Sequence, residues 1–455
     1  MSLPGSIRAP RNTPDARTAE ISARELSLQH LLTTYIATGL FFLLLPGTFL
    51  GVWDLIAISE GRSATEVSPA WLQAHGHAQI FGWIGSFIIG IGFYSLSKMG
   101  GARQFVVARG WTCWVLWTGG VFLRWATNLY SWEWRIMLPV SAAMELAAFL
   151  MFFHSVGRQK RKHLENAKQN GGSKGEIWMK LVLSSTIGFL LTLLANFGLA
   201  VSVGFGSRTP ALSHVVDQRF LVLALWGFIA LSIWGFSAKW LTTFLGLRKP
   251  DDPMLLWALA CVAAGVITTD VGLARLGGAL LLIAAVCAIL GLQIFAHSER
   301  EPKVQGIHRS FPFFVRIAYV WMLVAATTSI WALVSDQSGG IWGASRHALT
   351  VGFISTLVFS IGQRVLPAFC GMRTLFSPNL MLASLLTLNL GCIIRVGSEI
   401  AAYESNAAGA WKALPVSAIL EMAAVTLFAL NLLLTFLSPP AHELRRREVQ
   451  VAKAS

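Results

Sequence analysis

Charge is scarce in this chain: Asp, Glu, Lys and Arg make up 13% of its 455 residues, about half the share in an average soluble domain. That excludes a soluble globular enzyme, which needs a charged surface, and a disordered chain, which needs low hydrophobicity. Cysteine is scarcer still. The five thiols (Cys113, Cys261, Cys287, Cys370, Cys392) stand within or beside apolar stretches with no C-x-x-C spacing, so neither a disulfide framework nor a thiolate zinc site is indicated. No basic stretch carries interleaved aromatics, and the formal net charge of +14 therefore does not point to nucleic acid. The polar opening stretch runs straight into a full-length apolar segment, so no cleavable signal peptide is expected.

What the chain has is apolar length. Hydrophobic residues make up 55% of it, with 28 Phe and 18 Trp. The apolar runs fall at 31–52, 75–96, 110–130, 136–157, 179–202, 219–246, 253–271, 275–296, 313–334, 346–368, 379–402 and 411–437. Each approaches the roughly 20 residues an α-helix needs to cross a bilayer. The expectation is an all-α membrane protein, twelve spans over 31–437 with lipid as solvent. Lys and Arg concentrate in alternate connections beginning with the N-terminal tail, which places both tails, 1–30 and the basic 438–455, in the cytoplasm. The segment 158–178, basic and holding Gly171, Gly172 and Ser173, is expected as a cytoplasmic linker.

The sequence also repeats itself. HAQIFGWIGSFIIGIG from His77 matches HALTVGFISTLVFSIG from His347, and LPVSAAMELAA from Leu138 matches LPVSAILEMAA from Leu414, which aligns Glu145 with Glu421. The near-constant separation makes spans 2–4 and 10–12 parallel copies. A third copy is suggested by WGFIALSIWGF from Trp226, an echo of FGWIGSFIIGI from Phe81. Three copies would arrange the helices as three pseudo-symmetric groups of four about an axis along the membrane normal.

Ten His are present. His30, His154, His163, His297, His308 and His442 fall in tails and cytoplasmic connections, where a solvated side chain is the expectation. His75, His77, His214 and His347 fall on the external side, at or just before spans 2, 6 and 10. His77 and His347 occupy matching positions of duplicated helices, so one imidazole from each side could clamp a haem iron or another metal; helix packing is the competing reading. His75 lies two residues from His77, about 200° around a helix, and either binds a second metal or faces away. His214 is a candidate copper ligand, since imidazole suits copper.

Arg124 and Arg395 match each other in spans 3 and 11. A charge within a span finds a partner: a carboxylate such as Glu399, a lipid phosphate, or an anionic arm of a bound cofactor such as a haem propionate. Arg346 and Arg219 lie at the same level. Glu145 and Glu421 are either protonated and hydrogen-bonded between helices or part of a proton path. Pro139 and Pro415 are expected in the first turn of their helices.

AHGHAQIFGW, RHALTVGFISTLVFSIG and WGFSAKWLTTFLGL resemble motifs of the NnrS family of bacterial inner-membrane proteins. Ala74 stands where that family has Trp, and Ala78 where it has Glu. The resemblance implies haem (b-type) and copper as cofactors, a location in the bacterial inner membrane, and a part in the response to nitric oxide and nitrosative stress. On the family pattern His75 and His77 match the first motif and His347 the H-A-L-T element. Three groups of four helices with His on spans 2 and 10 also look like subunit I of haem–copper oxidases. Span 10 carries one His where that superfamily has two, and spans 6 and 7 carry none internally. The leading expectation is therefore a haem protein with His77 and His347 as axial ligands and Arg124 and Arg395 near the propionates. It would bind or sense nitric oxide, or exchange electrons with a donor. A solute or ion transporter and a nitrogen-oxide reductase are the rival expectations.

Overall fold

The computed structural model describes residues 14–99, 107–169, 176–336, 338–371, 373–405 and 407–439. The end 440–455 with His442, residues 1–13 of the N-terminal tail expected for 1–30, and 170–175 of the 158–178 linker lie outside the described residues. The described residues form helices and their connections, without strands. Eleven helices are long and apolar enough to cross a membrane: α1 (Glu25–Gly61), α2 (Pro69–Ser95), α4 (Trp134–Ser155), α5 (Ile177–Gly206), α6 (His214–Phe244), α7 (Asp252–Asp270), α8 (Ala274–Leu292), α9 (Phe311–Ser335), α10 (Gly340–Phe369), α11 (Pro378–Ser405) and α12 (Ala408–Leu437). Between α2 and α4 stands α3 (Val107–Tyr130). It is long enough to span, but Trp111, Trp114, Trp117, Gly119, Gly120 and Arg124 dilute its hydropathy.

The helices form because, in lipid, only a helix satisfies every backbone group within its own segment. Outward positions such as Leu45, Phe49 and Trp53 on α1 are exposed, the arrangement a hydrocarbon solvent favours. Inward positions pack aromatic rings. Phe149, Phe189 and Phe228 stack at 4.3 and 3.8 Å between α4, α5 and α6, and Phe359 stacks on Phe428 at 3.9 Å between α10 and α12.

The duplicated segments make duplicated contacts. A Cβ on Gly120 would lie 2.9 Å from Glu145 Cγ, and one on Gly391 would lie 3.0 Å from Glu421 Cγ. Glycine therefore brings α3 against α4, and α11 against α12, at the level of each carboxylate. Ser141 donates to the Leu138 carbonyl at 2.7 Å and Ser417 to the Leu414 carbonyl at 2.6 Å. Pro139 and Pro415 do not open their helices. These start earlier, at Trp134 and Ala408, because the preceding residues already wind, and both prolines stand inside. Each proline lacks the N–H that would close a helical bond.

Three helices widen to π geometry over eight residues: Ala78–Gly85 in α2, Leu223–Ala230 in α6 and Ala348–Ser355 in α10. Each stretch has Gly at its fifth position: Gly82, Gly227 and Gly352. Each begins directly after one residue of interest, which is His77 in α2, His347 in α10 and Val222 in α6. A Cβ on Gly82 would strike the Phe42 ring of α1, and one on Gly352 the Trp321 ring of α9, while Gly188 of α5 meets the Gly227 carbonyl backbone to backbone. A fourth wide stretch, Leu43–Phe49, interrupts α1 around Pro46.

Candidate haem site

Within α2 the two histidines turn to different neighbours. His77 is buried, and its Nε2 meets Glu145 Oε1 of α4 at 2.8 Å. Glu145 is completed by Asn196 of α5, whose Nδ2 donates to Oε2 at 3.1 Å. Phe81 covers the imidazole, with ring centroids 4.5 Å apart. This is a closed polar pair among the aromatic rings of α2, α4 and α5. Asn196 was not among the sequence candidates, although a lone amide in an apolar run of α5 was the signal for it.

His75 turns toward α1 instead. Its Nδ1 pairs with the Gly47 carbonyl at 2.9 Å. Its ring lies on Gly51, where a Cβ would come within 2.6 Å. Only glycine on α1 leaves room for the imidazole there. His75 lies within electrostatic reach of His347, Arg346 and Arg395. Its side chain is half-buried.

His347 has the matching arrangement. Its Nδ1 pairs with the Gly343 carbonyl one turn earlier at 2.8 Å and stands 3.1 Å from Glu399 Oε2 of α11. Its Nε2 faces Arg395 Nη2 at 3.3 Å, and 24% of its side chain is exposed. Arg395 Nε and Glu399 Oε2 form an ion pair at 3.2 Å one helical turn apart. A Cβ on Gly343 would collide with Glu399 Oε1, so glycine is what admits the carboxylate. Glu421 lies within reach of Arg395, His347 and Glu399, and its Oε1 is buried with no hydrogen-bond partner.

The structure therefore brings His347 together with His75, Arg395, Arg346 and Glu399. It does not bring His77 into that group, because the Nε2 of His77 is taken by Glu145. Arg124 is separate as well. It lies in reach of Glu145 and Asp217, and its Nε and Nη1 are buried without a hydrogen-bond partner. The residue one turn on, Asn128, occupies the repeat position of Glu399. It donates to the Ala70 and Pro210 carbonyls, which leaves Arg124 without the carboxylate that Arg395 has. Arg219 donates to the Asp270 carbonyl at 3.2 Å near the surface. His214 is exposed at the start of α6, near Asp217. Among the described residues no three His, Cys, Asp or Glu side chains gather closely enough to hold a metal ion.

The donor chemistry fits haem. A histidine that ligates iron ties down its other ring N–H, most often on a carbonyl or carboxylate. His75 and His347 both do so through Nδ1, which leaves Nε2 to ligate; on His347 that nitrogen faces Arg395 Nη2 at 3.3 Å, a contact that would give way to iron. Arg346 Nε has no hydrogen-bond partner, and an anionic arm of a cofactor would satisfy it.

A family model described as a domain of unknown function (DUF8744) matches residues 214–436. No protein of curated function matches the chain in sequence. Among solved structures the chain is similar to a heme-copper terminal oxidase determined by cryo-electron microscopy, with a TM-score of 0.69 and 12% identity over 91% of this chain and 85% of that one. At that identity the likeness carries the fold alone: this is a multi-pass helical membrane protein with a haem–copper oxidase-like fold.

Proposed function

We propose that this protein is a membrane haem protein that holds one haem between His75 and His347 and works in electron transfer. The observation that carries the reading is the matched pair of Nδ1 bonds, 2.9 Å to the Gly47 carbonyl and 2.8 Å to the Gly343 carbonyl, on imidazoles that share one electrostatic neighbourhood. Haem of the b type supplies a one-electron couple when bound. His75 and His347 would hold it, and Arg346 and Arg395 would receive its carboxylate arms. His75 replaces His77 in the pair expected from the repeat, and Arg395 rather than Arg124 stands beside it.

In this reading the helices are twelve, with α3 spanning, and the three π-helical stretches mark three groups of four. The protein lies in a bacterial inner membrane with both termini in the cytoplasm. With both histidines engaged the site would favour electron exchange with a donor over nitric oxide binding. The nitric oxide response implied by the NnrS resemblance would then be served by electron supply.

The test is a pyridine haemochrome and Soret spectrum of the purified protein with its His75→Ala, His347→Ala and His77→Ala variants. Loss of the band in the first two and its retention in the third is the expected result. A wild-type protein purified from haem-replete cells without a Soret band sinks the reading.

A further inference from the structure

The two imidazoles differ in what lies behind them. His75 Nδ1 pairs with a neutral carbonyl at 2.9 Å. His347 Nδ1 has a carbonyl at 2.8 Å and, in addition, the Glu399 carboxylate at 3.1 Å. Resting on the haem reading above, we propose that Glu399 is a positioning residue that sets the reduction potential of the haem through the ring of His347.

The argument runs through charge. A carboxylate beside the N–H of a ligating imidazole draws the proton toward itself and makes the ring a stronger donor at Nε2, which stabilises the oxidised metal. The surroundings hold Glu399 in that position. Arg395 Nε pins Oε2 at 3.2 Å from within the same helix, and Gly343 leaves the space that Oε1 occupies. The duplicate half lacks the device. Asn128 stands in place of Glu399 and faces two backbone carbonyls, and the carboxylate that His77 meets comes from another helix and takes Nε2. Among the described residues the α10–α11 side sets an acid behind Nδ1 of a histidine, His347, whose Nε2 faces the Arg395 guanidinium at 3.3 Å; that guanidinium would turn to a cofactor carboxylate when haem binds.

The experiment is an optical redox titration of the purified, haem-loaded protein and of Glu399→Gln, Glu399→Asp and Gly343→Ala. Haem content is measured first by pyridine haemochrome. Glu399→Gln is expected to raise the midpoint so that the reduced-to-oxidised ratio at fixed ambient potential increases about tenfold, about 59 mV for a one-electron couple. Glu399→Asp should return part of that shift. Gly343→Ala, which keeps the carboxylate but displaces it, should move the midpoint in the same direction. An unchanged or lowered midpoint in haem-retaining Glu399→Gln overturns the proposal. Should Glu399→Gln lose its haem, a rise in both Glu399→Asp and Gly343→Ala supports the proposal, and no rise in either overturns it. A wild-type protein without haem is a different failure, seen in the first measurement, and removes the haem reading itself.

Discussion

A histidine ring offers two nitrogens, and the partner of one decides what the other can do. In His77 the Nε2 is committed to Glu145; in His75 and His347 it is the Nδ1 that is tied down. His77→Ala is therefore expected to keep its haem band but to lose stability, because Glu145 would stay buried without its imidazole. Removing one partner of such a pair costs about 3 kcal/mol, measurable as a lower thermal midpoint in detergent. A Soret band lost in His77→Ala and kept in His75→Ala would return the ligand role to His77. A second expectation concerns Gly51, where a Cβ would come within 2.6 Å of the His75 ring. Gly51→Val should displace that ring and reduce haem per protein at least severalfold, while a substitution at Gly409, where a Cβ meets nothing within 4 Å, should leave it unchanged. That the two histidines of AHGHA turn to different neighbours follows from helix geometry alone. Which neighbour His75 meets depends on where α1 puts Gly47 and Gly51, far away in the sequence.

At the scale of the element, the π-helical stretches matter most. A π turn holds one more residue than the α turn it replaces, and it changes which face the flanking residues present. Directly after His347 this happens over Ala348–Ser355. Deleting Val351 should relax the stretch to α geometry, shift His347 relative to the helix that follows, and reduce the haem spectrum in protein that still inserts. Retention of the spectrum would show that this wide turn does not aim the ligand. The shared Gly-Phe-Ile pattern of α6 and α10 marks these elements in the sequence, but nothing in composition marks a π turn. The extra residue shows only when the backbone bonds are formed. The prolines teach the same lesson. Pro139 and Pro415 look like helix starts by local rule, yet both stand inside longer helices, because neighbouring helices and lipid favour continued winding.

For the whole molecule, the number of crossings fixes the sides on which the ends lie. Eleven helices meet the length and hydropathy of a span, and α3 meets the length. If α3 crosses, both termini share a side; if it does not, they lie on opposite sides. Reporter fusions at the two ends are expected to read cytoplasmic at both, and single cysteines near Arg109 and Tyr130 should react with impermeant reagents from opposite faces. Opposite-sided termini would remove α3 from the bilayer. The hydropathy of α3 is low for a physical reason: Trp114 reaches Thr38 of α1, Trp117 reaches Ser86 of α2, and Gly119 and Gly120 admit α4, so these positions need little contact with lipid.

The sequence by itself determined that the chain is a helical membrane protein with duplicated halves. The runs of about 20 apolar residues leave the backbone no other way to satisfy its hydrogen bonds in hydrocarbon, and the repeat preserves glycine against carboxylate in both copies. Identifying His347 and Arg395 as neighbours of one site was also within reach, since a charge in a span needs a partner and Glu399 stands one turn away. Tertiary structure alone decided that His75 and not His77 joins them, that Glu145 closes on Asn196, and that Arg124 faces Glu145 and Asp217. These contacts join side chains from helices distant in sequence, and the rotation of each helix about its own axis is set by packing against its neighbours rather than by its own residues.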